Sequence, residues 1–202
     1  MFQSLNGAMK NVFITGGTGY MGRRLVGKLL ARGHKVRALV RKGSEAKLPA
    51  GVESVIGDAL DASSYADRVL PSDTLVQLVG VAHPSPAKGK EFRAIDLPSG
   101  LAAVQAAKRA ETHRSQVEQA IRDAGLNATV LRPWYVLGPG HRWPYALIPF
   151  YKLCELLPST RQGARRLGLV TLPQMIAALV RAVENPAQGV RVVEVPEIRQ
   201  AV

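Results

Sequence analysis

Short apolar runs alternate with longer stretches of helical spacing along the first two thirds of the chain. Val12-Phe13-Ile14, Lys35–Val40, Glu53–Ile56, Thr74–Val81 and Asn127–Leu131 read as strands, because short apolar or β-branched runs bounded by turn residues suit a buried sheet. Between them, Tyr20–Arg32, Asp61–Leu70 and Leu97–Ala110 read as helices. Asp61 or Ser63 caps the second, and Asp96 with Pro98 opens the third, proline being at home in a first turn. Ala82–Lys90 is expected to be a Pro/Gly/Lys loop. Strands that alternate with helices imply a parallel sheet covered on both faces, an α/β doubly wound fold. After Pro133 the texture changes. Trp134–Pro149 holds both tryptophans and Gly138-Pro139-Gly140 and is expected to be irregular. A helix over Ala146–Leu157, a strand over Leu167–Val170, a helix from Thr171 to Asn185 and a strand over Val190–Val195 complete the pattern. Residues 1–133 are expected to form the core and 134–202 a segment that covers the cleft and completes the sheet, within one structural domain.

Composition narrows the classes. A chain of 202 residues, 47% of them hydrophobic, suits one domain with a sizeable core. No apolar run approaches the roughly 18 residues of a membrane span, so none is expected. The first nine residues lack the pattern of a signal peptide, and a cytoplasmic location follows as the expectation. The one cysteine, Cys154, excludes an internal disulfide and a cysteine-rich metal site, so no metal is expected. Its apolar surroundings read as packing. The net charge of +12, from 27 Lys+Arg against 15 Asp+Glu, favours anionic partners. The basic residues are dispersed, and aromatics make up only 5%. Nucleic-acid binding therefore ranks low.

The chemistry gathers where the first strand meets the first helix. Thr15-Gly16-Gly17-Thr18-Gly19-Tyr20-Met21-Gly22 spaces glycines three apart across that junction. The first allows the turn, the second lets backbone N–H groups approach phosphate oxygens, and the third lets helix and strand pack closely. The helix N-terminus then offers free N–H groups and partial positive charge to a pyrophosphate. A glycine-rich turn without a ligand is the bland alternative. At the end of the second strand, NAD sites place an acid on the ribose hydroxyls. This chain has Arg41-Lys42 and no acid until Glu45, which favours NADP(H) over NAD(H) because the two cations can hold a 2′-phosphate. A solvated basic loop is the competing reading. Asp58, followed by Ala59, either accepts from an adenine amino group or caps a turn. Val79, Gly80 and Val81 end the fourth strand, where the backbone passes close to the nicotinamide half. His83 reads as a surface residue before a catalytic one. His141, Arg142 and Trp143 either line a substrate pocket or form a structural aromatic cluster.

Together these residues resemble the extended and atypical short-chain dehydrogenase/reductases, with the NAD-dependent epimerase/dehydratase-like and NmrA-like NAD(P)H-binding proteins nearest. The resemblance rests on Ile14–Gly22, Leu39-Val40-Arg41, Gly57-Asp58, Leu78-Val79-Gly80, Leu131–Gly138 and Leu169–Ala177. It implies a Rossmann-like fold and places Pro133, Trp134, Tyr135 and Val136 at the nicotinamide end. It also implies a fifth strand ending in Ser or Thr, and a helix bearing Tyr-x-x-x-Lys. None of Tyr20, Tyr65, Tyr135, Tyr145 and Tyr151 has a lysine four positions on. No catalytic residue is assigned. Two helical patterns abut at Ala110–Glu111, and a parallel sheet needs a strand between crossover helices. Three accounts stay open: the strand is absent, a segment is omitted there, or Leu97–Gly125 is one helix or a hairpin. The second is favoured, since both flanks match the family. In related folds the helices matching Leu97–Gly125 form a two-fold interface, so a homodimer is compatible with the resemblance. The leading function is an NADP(H)-binding oxidoreductase acting on a small carbonyl or sugar-like substrate. A non-catalytic NADP(H) sensor or assembly factor ranks second.

Overall fold

The computed structural model describes residues 8–80, 89–109, 127–133, 135–139 and 168–202. Its elements run β1 (Asn11–Thr15), α1 (Gly22–Ala31), β2 (Lys35–Val40), β3 (Glu53–Ile56), β4 (Thr74–Gln77), α2 (Gly89–Arg109), β5 (Ala128–Leu131), β6 (Tyr135–Leu137), β7 (Leu169–Thr171), α3 (Leu172–Glu184), β8 (Val190–Val193) and α4 (Val195–Arg199). They fall into two compact units, one of Met1–Ala128 with Val183–Val190, the other of Thr129–Ala182 with Arg191–Val202.

In the first unit four strands form a sheet in the order β3-β2-β1-β4, parallel at every pairing. The chain reverses its direction of travel across the sheet at β1, between β2 and β4. Val12, Phe13 and Ile14 are fully buried, and alternation along a strand sends Phe13 to the opposite face from its neighbours. α1 buries Leu25, Val26 and Leu29 while Arg23, Arg24 and Lys28 stay exposed, the one-sided stripe of a covering helix. Around Phe13 lies a second cluster containing Leu39, Val55, Tyr65, Val69, Ala102 and Ala106. The rings of Phe13 and Tyr65 stack with centroids 5.9 Å apart. After α1 the chain turns through Gly33, at φ +82°, to the buried His34. The Lys10 N–H donates to His34 Nδ1 at 3.2 Å, so the other ring nitrogen carries the proton toward Glu184 Oε1, 3.3 Å away. Arg32 grips both oxygens of the same carboxylate.

The second unit holds a parallel pair, β6 with β7, and a second pair, β5 with β8. α3 opens on a reciprocal cap. The Thr171 N–H donates to Gln174 Oε1 at 2.9 Å, and the Gln174 N–H donates to Thr171 Oγ1 at 3.4 Å. Gln174 Nε2 also reaches the Arg199 carbonyl, and Arg199 Nε reaches the Leu169 carbonyl, which ties α4 to β7.

Four expectations are corrected. Asp61–Leu70 is not a helix but two 3-10 turns, Ala62–Ser64 and Ala66–Arg68; Asp61 caps the first by accepting from the Ser63 N–H at 2.9 Å. α2 starts at Gly89, eight residues before Leu97, and runs through Pro98. The carbonyl that Pro98 leaves without its helical donor belongs to Ala94, an exposed residue. β4 ends at Gln77 instead of Val81. β6 and α4 occupy stretches not expected to be regular. Ala146–Leu157, His83 and the Ala110–Gly125 junction lie outside the described residues, as do Val81, Trp134, His141, Arg142, Trp143 and Cys154.

Candidate functional site

Parallel strands bring their C-terminal ends to one edge of the sheet, and every described candidate of the first unit follows such an end. Gly16–Met21 follow β1, Arg41 and Lys42 follow β2, Asp58 and Ala59 follow β3, and Val79 and Gly80 follow β4. Gly16 sits at φ +76°, and a Cβ there would stand 2.9 Å from the Leu78 carbonyl carbon and 3.0 Å from the Val79 nitrogen. Only glycine combines that backbone with that approach. The turn closes through the Gly19 N–H, which donates to the Gly16 carbonyl at 3.0 Å. At Gly22 a Cβ would run into the Gly16 carbonyl oxygen and stand 2.8 Å from two Gly17 backbone atoms. The first and third glycines therefore press against one another.

The start of α1 is electrically unusual. Its N-cap, Met21, offers no side-chain acceptor, and no acid lies in the first turn. The N–H groups of Thr18, Met21 and Gly22 find no acceptor among the described residues. Arg23 and Arg24 stand there instead, the wrong sign for the positive end of a helix dipole. Arg24 lies over the Tyr20 ring, 4.8 Å from its centroid, and donates to the Tyr20 carbonyl at 2.9 Å. α3, by contrast, closes its start with the reciprocal cap of Thr171 and Gln174.

Beneath the turn runs a polar network in which Thr15 and Ser99 are buried. The Val79 N–H donates to Gln77 Oε1 at 2.6 Å, and Gln77 Nε2 donates back to the Val79 carbonyl at 3.1 Å. Thr15 Oγ1 donates to the same Oε1 at 2.7 Å, and Gln77 Nε2 donates to Ser99 Oγ at 2.9 Å. β4 stops at Gln77 because its partner β1 ends opposite it at Thr15 and turns away through Gly16; the side chain of Gln77 takes the N–H and carbonyl of Val79 just beyond. Sequence reading passed over Gln77. The signal was a polar residue between apolar neighbours in Leu75-Val76-Gln77-Leu78-Val79.

The remaining candidates are placed as follows. Arg41 and Lys42 are exposed, on a turn closed by the Ser44 N–H and the Arg41 carbonyl at 2.9 Å. Asp58 Oδ1 accepts from the Leu60 N–H at 3.0 Å, the turn-capping role. Pro133, Tyr135 and Val136 lie in the second unit, the latter two on β6.

A family model described as NAD(P)H-binding matches residues 16–115. That stretch of the chain is similar to NAD(P)H-binding proteins, and the chain shares its fold with short-chain dehydrogenase/reductase and epimerase-like proteins. Among its curated relatives is a ceramide reductase of Caulobacter vibrioides, 26% identical over 94% of this chain and 65% of the relative. Another is the sterol demethylase protein B of Methylococcus capsulatus, 30% identical over 56% of this chain and 35% of the relative. The chain thus spans less than two thirds of either relative's length. The solved Bordetella bronchiseptica enzyme WbmH, in complex with NAD+, has the same fold, with a TM-score of 0.65 at 21% identity over 92% of this chain and 76% of that one.

For an NAD(P)-binding protein the edge has a suitable form. The Gly16 and Gly22 positions leave no room for side chains, and the start of the helix has neither a side-chain cap nor an acid, features that suit an anion. No helix among the described residues is long and apolar enough to cross a membrane.

Proposed function

We propose that the protein binds NADP(H) along this edge and is an oxidoreductase for a hydroxyl or carbonyl group on a lipid-like or other small organic skeleton. The observation that carries the reading is the start of α1, uncapped, free of acids and flanked by arginines. Thr15–Gly22 hold the pyrophosphate, Arg41 and Lys42 the 2′-phosphate, and Asp58 and Ala59 the adenine. Asp58 keeps one carboxylate oxygen for that role while the other caps its turn. Val79 and Gly80 flank the nicotinamide riboside, with Val81, Pro133, Trp134, Tyr135 and Val136 assigned to the same end by the resemblance. When bound, the nicotinamide supplies the redox chemistry, and the chain supplies binding, orientation and electrostatics. The names of the relatives, a ceramide reductase and a sterol demethylase protein, support an apolar substrate bearing an oxygen function.

A second reading, a cofactor sensor without turnover, is favoured by the absence of any Tyr-x-x-x-Lys in the sequence. The ceramide reductase alignment bears on this. It runs over 212 positions yet covers 94% of 202 residues, about 190, so about 22 positions of the alignment have no residue here. That is the size of a strand with its loop and a helical turn.

Calorimetric titration with NADP+ and NAD+ tests the cofactor. Wild-type protein is expected to prefer NADP+ by at least about tenfold, and Arg41→Ala to lose most of that preference. Equal affinity for the two would overturn the NADP assignment. NADPH consumption with a panel of long-chain and steroidal ketones then separates enzyme from sensor.

A further inference from the structure

We propose that Gln77 is a positioning residue for the dinucleotide, acting through backbone it holds and not by touching the ligand. The proposal rests on the cofactor reading above and adds a residue to it. Gly16 turns directly against Leu78 and Val79, with room for no Cβ between them. Whatever fixes Val79 therefore fixes the floor of the phosphate turn. Beyond the last ladder bond, from the Leu78 N–H to the Thr15 carbonyl at 3.1 Å, no strand continues to do so.

Gln77 does it instead. Its amide meets both the N–H and the carbonyl of Val79, which also settles which side-chain atom is oxygen and which nitrogen. The remaining capacity of the amide reaches two elements. Oε1 takes the Thr15 hydroxyl at the end of β1, and Nε2 gives its second proton to Ser99 on α2. Ser99 in turn donates to the Asp96 carbonyl at 3.1 Å. Four bonds on one amide leave nothing of it unsatisfied, and each has a definite donor direction. A residue chosen only to fill a strand would be apolar here, because a half-satisfied polar group at this depth costs more than none.

The donor directions supply a test that a merely structural role would not pass. Gln77→Glu keeps the shape. The ionised form cannot donate to the Val79 carbonyl or to Ser99. The protonated form keeps an acceptor and regains one donor, and partial burial raises the pH at which it forms. NADP+ affinity is therefore measured for wild type and Q77E between pH 5.5 and pH 8, with Thr15→Val as a milder variant that removes one arm. At pH 8, Q77E is expected to bind about tenfold more weakly than wild type and to recover most of that loss at pH 5.5. Thr15→Val is expected to lose about threefold at every pH. Amide hydrogen exchange at Val79, measured without ligand as the ratio of Q77E to wild type, is expected to be higher at pH 8, where the carboxylate repels the Val79 carbonyl that Gln77 now bonds, than at pH 5.5. A constant ratio of Q77E to wild type across the range, or exchange at Val79 unmoved by the substitution, overturns the role of Gln77. Wild-type protein that takes up no NADP+ while Val79 exchange behaves as expected overturns the cofactor reading, and with it the positioning of a ligand.

Discussion

Gly22 and Gly27 lie on the same helix, five residues apart, and the same substitution should act on them with opposite sign. Gly27 is exposed, and a Cβ there meets nothing within 4 Å. Gly27→Ala removes only the entropic handicap of a helical glycine, a gain of about 0.5–1 kcal/mol. Gly22→Ala would collect the same propensity gain but places its methyl 2.8 Å from the Gly17 carbonyl carbon and Cα, and against the Gly16 carbonyl oxygen. Carbon atoms rest about 3.5–4.0 Å apart, so the turn must retreat by about 1 Å. These are backbone atoms that cannot rotate aside. Overpacking of this kind costs about 1–3 kcal/mol, leaving a net loss of about 1–2 kcal/mol once the propensity gain is counted. Urea unfolding of the two variants beside wild type measures both signs. At this chain length each kcal/mol moves the thermal midpoint by about 2–4 °C. The displaced turn should also bind NADP+ at least about tenfold more weakly in Gly22→Ala, while Gly27→Ala binds as wild type does. A Gly22→Ala protein as stable as Gly27→Ala, with its NADP+ affinity intact, would show that the turn and the helix start are not pressed together.

Two further predictions concern the body of the first unit. The Tyr65 hydroxyl is buried with no hydrogen-bond partner among the described residues. Burial, with smaller contributions from Asp61 and Asp58, pushes its pKa up. Tyr65→Phe is expected to stabilise the protein by about 1 kcal/mol in urea unfolding, and a loss instead would mean the hydroxyl does bond in the folded state. At Glu184, burial raises the carboxyl pKa, but hydrogen bonds from Arg32 and His34, with the charge of Arg32, outweigh it and hold the group below its ordinary value. Its folded pKa is depressed, so the stabilisation is complete above the unfolded pKa of about 4.3 and disappears as pH falls through the folded value. The stability gap between wild type and Glu184→Gln should be flat from pH 7 to about pH 5 and shrink below about pH 4; a gap that stays constant to pH 3 would contradict this.

What could be read from the sequence was what depends on near neighbours. β2, β3 and the start of β4 stand where runs such as Lys35–Val40 put them, and the glycine turn needs only its own spacing and the strand before it. The errors arise where a distant partner decides. Asp61–Leu70 has helical content, but Tyr65, Ala66 and Val69 are drawn into the core under Phe13, and the chain meets that demand with two tight turns. β4 is cut short because its partner β1 ends at Thr15 and turns away through Gly16, a limit set across the sheet that the periodicity of Thr74–Val81 does not carry. α2 runs through Pro98, whose missing donor falls on the exposed residue Ala94, which spacing alone does not foresee. At the site, Arg41 and Asp58 were placed by strand order alone, whereas Gln77 needed three elements in view at once.

The clasp of Glu184 on Arg32 and His34 bears on how the molecule is made. Its partners are separated by about 150 positions, and the same late segment accepts from the Ala128 N–H at the Gly189 carbonyl and donates the Gly189 N–H to Asn127 Oδ1. The first unit is therefore discontinuous along the chain. During synthesis the glycine turn, its sheet and α1 emerge early, yet the imidazole of His34 waits with one nitrogen unanswered until residue 184 has been added. Excising residues 8–128 as a smaller binding module would leave the same gap. A permuted chain that joins 183–190 to the N-terminal part would be the more self-sufficient piece.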